Sequence, residues 1–155
     1  MVKLQAFEEP QIDAVLALWQ GMDGIGLGLG DTPHDLAMFL ARNAGCSPIA
    51  LDEQGEVVGV ALCGHDGRRG YLHHVAVREA ERGRGIGRLL IEYCRAALER
   101  VGIGRASIHV FADNKSGIAF WAHLGWNPRA DLTVLQVELP RVVENPKSVS
   151  TRPKG

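Results

Sequence analysis

Glu81-Arg82-Gly83-Arg84-Gly85-Ile86-Gly87 decides how this chain reads, because of what stands on either side of it. Before it lies Tyr71-Leu72-His73-His74-Val75-Ala76-Val77, an apolar and aromatic run of strand length. From Ile86 onward, Leu89, Leu90, Tyr93, Cys94, Ala97, Leu98 and Val101 recur at three- and four-residue steps, the strongest helical periodicity in the chain. A glycine-rich turn between strand and helix lets the backbone approach a ligand closely. The helix start adds unpaired N–H groups and a partial positive charge, which together suit a pyrophosphate. Arg82, Arg84 and Arg88 add charge beside them. Glycines can also serve a tight turn alone, with arginines merely solvated. Three alternate glycines interleaved with arginines at a helix start weigh toward phosphate. The stretch is neither the nucleoside-triphosphate loop, lacking Gly-Lys-Ser/Thr, nor the dinucleotide fingerprint, whose glycine spacing differs.

Working outward, Val2 to Phe7 predicts a first strand, and Ile12, Val15, Leu16 and Trp19 a helix opened by Pro10. Thr32-Pro33-His34-Asp35 carries a cap residue, a proline at the first helical position and an acid three after the cap, and so begins a second helix. Ser47 to Leu51 and Glu56 to Leu62 predict strands joined by the polar turn Asp52-Glu53-Gln54-Gly55. After the long helix, Ala106 to Phe111 predicts a strand, and Asn114 starts a shorter helix that Gly125 stops. Thr133 to Leu139 predicts a last strand. One domain over residues 1–139 is expected, with 140–155, poor in apolar residues, as a flexible tail.

Composition narrows the function classes. The chain of 155 residues, 46% hydrophobic, suits one globular domain, and 17 basic against 18 acidic residues leave no footprint for nucleic acid or membrane. Cys46, Cys63 and Cys94 lie far apart in sequence and read as buried thiols of a reducing compartment. No apolar run approaches the ~20 residues that span a bilayer, so a cytoplasmic location is expected. No histidine pair has metal-ligand spacing on a helix, and no metal is expected.

Arg82-Gly83-Arg84-Gly85-Ile86-Gly87 resembles the Q/R-x-x-G-x-G/A signature of the GNAT acyltransferases, and Leu72 to Val77 looks like that family's fourth strand. Ile108-His109-Val110, Asn114 and Phe120-Trp121-Ala122-His123-Leu124-Gly125-Trp126 are similar to its second motif. The resemblance runs from about Glu56 to Leu139. It implies an α/β three-layer sandwich with a mixed, mainly antiparallel sheet splayed between strands 4 and 5 and helices on both faces. It also implies acetyl-coenzyme A as acyl donor and transfer of acetyl to a primary amine, in a small molecule or a peptide. By the same resemblance the amides of residues 82–87 grip the pyrophosphate, Val75, Ala76 and Val77 bond the pantetheine arm and acetyl carbonyl, and Asn114 contacts the cofactor. The competing reading is an acyl-coenzyme A binding or sensing module without turnover. The acceptor and the oligomeric state, a homodimer included, stay open.

An amine of pKa ~10 must lose its proton before attack, and a neutral histidine is suited to accept it. The two-residue strand period places Tyr71, His73 and Val75 on one face and His74, read as structural, on the other. His109 stands on the adjacent strand. Certain peptide N-terminal acetyltransferases resemble the chain at His109 and Tyr71, and arylalkylamine acetyltransferases at His73; His109 is the first candidate for the base. Where many members have a tyrosine beside the coenzyme sulfur, this chain has Trp121, expected to pack against the pantetheine end and donate at most a hydrogen bond. Gly21 to Asp31 holds five glycines in eleven residues, either a closing loop beside the acceptor or a plain linker, and Asp23, Asp31 and Asp35 are acids able to draw a cation.

Overall fold

The computed structural model describes residues 1–141. Its elements in order are β1 (Lys3–Ala6), α1 (Ile12–Gln20), α2 (Pro33–Arg42), β2 (Pro48–Leu51), β3 (Val57–His65), β4 (Gly70–Val77), α3 (Ile86–Arg100), β5 (Ala106–Ile108) and α4 (Lys115–His123). The five strands form one sheet in sequence order, antiparallel from β1 to β4, with β5 parallel to β4.

Helices cover both faces, giving the three layers and mixed sheet that the family resemblance implies. On one face α1 and α2 bury Val15, Trp19, Leu36 and Leu40 against Ile49, Val60 and Leu62. On the other, α3 lays Leu90, Ile91, Cys94 and Leu98 over Val58, Ala61 and Leu72, and α4 adds Trp121. Being covered on both faces, β3 is buried from Val57 to Gly64, which is why it reads as an unbroken apolar run. The start of α2 is set by the Thr32 hydroxyl, which accepts from the Asp35 amide at 3.1 Å. Cys46, Cys63 and Cys94, distant in sequence, all fall within the α3-side core.

Two expectations fail. β5 stops at Ile108 rather than Phe111. Thr133 to Leu139 forms no strand, and its apolar side chains stand in solvent, Leu135 at 90% exposure and Val137 at 81%. Alternation records which side chains would share a face, but a strand also needs a neighbour to receive its N–H and C=O groups, and a three-residue β5 offers little. The tail expected over residues 140–155 falls, from 142 on, outside the described residues.

A third difference lies inside β4. Leu62 pairs with His73 and Val60 with Ala76, so three steps on β4 oppose two on β3. This bulge has His74 at φ +47°, a backbone region that side chains other than glycine seldom adopt. The extra residue reverses the alternation, so that Leu72 lies in the α3-side core and Ala76 in the α1-side core. Tyr71, His73 and Val75 therefore do not share a face. His73 meets Phe39 of α2, His74 meets Trp19 of α1, and Val75 packs on the α3 side.

Candidate active site in the gap between β4 and β5

The parallel ladder holds only from Gly70–Ala106 to Leu72–Ile108. Beyond it the strands part, leaving Val75, Ala76 and Val77 along the inner edge of β4. One mouth of this gap is the turn into α3. Gly83 and Gly85 hold φ of +82° and +81°, so both need glycine, and a Cβ on either would meet nothing within 4 Å. Gly85 caps α3 without any side-chain hydrogen bond to the helix amides. An uncapped helix start bordered by open space fits a phosphate group. Ile86 is buried, so it offers only its amide, while Gly87 lets the Phe120 ring come close, 3.1 Å from where its Cβ would stand. Arg82 donates Nε to the Val77 carbonyl at 3.0 Å, tying the turn to the end of β4, and Arg84 pairs with Glu81 at 3.1 Å. Arg88 is exposed on the first turn of α3.

The titratable side chains stand where the ladder ends: Tyr71 pairs with Ser107, and His73 and His109 follow the last pair, Leu72 and Ile108. Tyr71 and His73 stack with ring centroids 6.4 Å apart, and Phe39 closes on His73 edge-first at 6.5 Å. Burial pushes the His73 imidazole below its ordinary pKa, and the charges of His74 and His109 push the same way against a smaller opposing pull from Asp31. His109 is therefore close enough to be felt by His73, yet it is exposed, one residue past the end of β5.

Two predicted cofactor contacts are already engaged in local structure. Asn114 caps α4, its Oδ1 accepting from the Gly117 amide at 3.0 Å. Trp121 is 7% exposed in the α3-side core, edge-to-face with Trp126 at 4.8 Å and Phe120 at 5.6 Å. The glycine-rich connection lies across from them: a Cβ on Gly24 would sit 3.6 Å from Asn114 Nδ2, and one on Gly26 3.2 Å from the Phe111 ring. Sequence reasoning missed Phe39 as a site residue and misplaced His74. A bulge leaves no mark in strand periodicity, and Phe39 looks like any helix core residue.

Among the described residues no His, Cys, Asp and Glu group could hold a metal, and no helix is long and apolar enough to cross a membrane. The sequence profile of the acetyltransferase (GNAT) family matches residues 16–126, which takes in the gap, the α3 turn and both helical layers. The chain belongs to that family. An acetyltransferase of Photorhabdus laumondii subsp. laumondii is 28% identical over 134 residues, covering 86% of this chain and 92% of that protein. Ard1 from Thermoplasma volcanium superposes with a TM-score of 0.73 at 18% identity, covering 83% of this chain and 84% of its own. An aminoglycoside acetyltransferase from an uncultured soil metagenomic sample, solved in complex with sisomicin, gives 0.72 at 16% identity over 90% and 97%.

Proposed function

We propose that the chain moves an acetyl group from acetyl-coenzyme A to a primary amine, carried by a small molecule or a peptide, within the gap between β4 and β5. The observation that carries this reading is the uncapped, glycine-lined start of α3 at the break between β4 and β5, where His73 and His109 follow the last paired residues of their strands. Residues 82–88 of the α3 turn would hold the pyrophosphate, and the edge Val75 to Val77 the pantetheine arm; the coenzyme supplies the acetyl group as an activated thioester. His109 takes the proton from the attacking amine, directly or through water, because it stands on the exposed side where an amine arrives from solvent. His73, deeper and held below its ordinary pKa by burial, stays neutral beside it. An N–C bond forms and a C–S bond breaks; the ammonium loses one proton before attack and a second as the amide forms, passing them through His109 to solvent, and the leaving thiolate gains one from solvent, directly or through Tyr71, which solvent reprotonates. Trp121 packs the core beneath α4 and takes no part in the proton's path.

The test measures coenzyme thiol release with spermidine, tyramine, sisomicin and an alanine-initiated peptide. Amine-dependent release by the wild type, lowered about 10²-fold or more in His109→Ala with acetyl-coenzyme A affinity unchanged, is the expected result. Loss confined to His73→Ala would move the base to His73. Cofactor binding without release for any amine would leave a binding module.

A further inference from the structure

We propose that Asp31 and His74 form a latch that holds the glycine-rich connection across the β4/β5 gap, making both of them positioning residues for the acceptor. The role assigned to the acceptor rests on the transfer reading above; the latch itself does not. Between α1 and α2 the chain passes through Gly21, Gly24, Gly26, Gly28 and Gly30. Ordering such a segment costs at least about 1–2 kcal/mol per residue in backbone entropy, so it needs fixed points. The structure supplies them along its length. Near α1 the Met22 amide donates to the Trp19 carbonyl at 3.1 Å. Along the middle, Ile25 and Leu27 pack on the α1-side core, and Cβ atoms on Gly24 and Gly26 would stand against Asn114 and Phe111. At the far end stands Asp31.

Asp31 is held in three ways. Its amide donates to the Gly28 carbonyl at 3.1 Å, its Oδ2 accepts from the Gly28 amide at 2.9 Å, and both carboxylate oxygens lie 3.2 Å from His74 Nε2. The first two contacts close a local turn; the third ties Asp31 to the centre of β4. His74 is in turn fixed from behind. Its carbonyl accepts from Trp19 Nε1 at 2.8 Å and its ring stands edge-on to the Trp19 indole at 5.1 Å. The bulge that forces φ +47° is what swings this imidazole out of the ladder onto the α1 side, where it reaches Asp31. Backbone strain and a buried tryptophan thus serve one contact, between the centre of β4 and a segment whose other face lies on the end of β5 and the start of α4. The segment spans the gap where His73 and His109 sit, and the latch sets how far it stands from them.

Asp31→Asn, His74→Asn and the double variant test this, asparagine being chosen because it tolerates positive φ at position 74. Asp31→Asn keeps an oxygen for the Gly28 amide and so preserves the local turn. Hydrogen exchange of the amides of residues 22–30 should quicken about tenfold in each single variant. The KM of the best acceptor of the panel should rise about tenfold, with kcat and acetyl-coenzyme A affinity within about twofold. The double variant should be no worse than either single, since one contact is lost once. Unchanged exchange at 22–30 in folded single variants, or effects that add in the double, would overturn the latch. Should His74→Asn not fold, exchange in Asp31→Asn decides. Exchange needs no turnover, so failure of every amine to react sinks the transfer reading alone, while faster exchange with unchanged KM removes the acceptor role.

Discussion

Protonation of His73 is opposed by burial first and by neighbouring charge second, and this has consequences for both stability and rate. Its folded pKa lies below the unfolded value of about 6.5, so between the two values the unfolded chain binds more protons. The stability involved is fully present above pH ~6.5 and is lost as pH falls through the folded value. Melting temperature followed over this window should decline less steeply in His73→Gln than in the wild type; an unaltered slope would assign the acid limb elsewhere. At Gly85, φ of +81° and the open space around it separate two effects. Gly85→Ala should cost stability by about 1–2 kcal/mol through backbone strain alone, whereas Gly85→Glu should also largely abolish acetyl-coenzyme A binding in calorimetry by placing a carboxylate where the proposed function puts the pyrophosphate. Trp121 belongs to packing, so Trp121→Ala should destabilise by about 3–5 kcal/mol. Trp121→Phe should keep most turnover, and a collapse of kcat without loss of stability would return the indole to the chemistry.

Among elements, the helices bounded by punctuation and strands β1 to β4 were legible, while the length of β5 and the fate of Thr133 to Leu139, which turn on a neighbouring strand, were not. Thr32-Pro33 and the Asp35 amide fixed α2, Gly85 fixed the start of α3, and Gly125 at φ +90° followed the end of α4, all from local chemistry. The splay was foreseen through a family likeness rather than from periodicity. The bulge in β4 was not foreseen, since residue alternation cannot show an inserted residue that pairs with nothing. That single miss put His74 on the wrong face and joined Val75 to Tyr71 and His73. Thr133 to Leu139 failed in the opposite way, a sound strand pattern with no strand beside it. Because Leu135 is 90% exposed, Leu135→Ser should change unfolding free energy by less than about 0.5 kcal/mol. A loss of 2 kcal/mol or more in a denaturant titration would mean that this side chain is buried in solution.

At the scale of the whole molecule, the sheet is a partition between two cores, one under α1 and α2 and one under α3 and α4, with β-strand side chains alternating between them. All three cysteines belong to the α3 half, Cys63 and Cys94 at 0% exposure and Cys46 at 4%. The Cys63 contact and then burial raise the Cys94 thiol well above its ordinary pKa, and burial raises Cys46, so neither is ready to ionise. The folded protein is thus silent toward a thiol-reactive dye. The dye that counts released coenzyme will not count the catalyst, until the partition opens and each chain adds three equivalents of colour of its own. A slow, amine-independent drift in such an assay, plateauing at three per chain, is a stopwatch for unfolding that the protein carries within it.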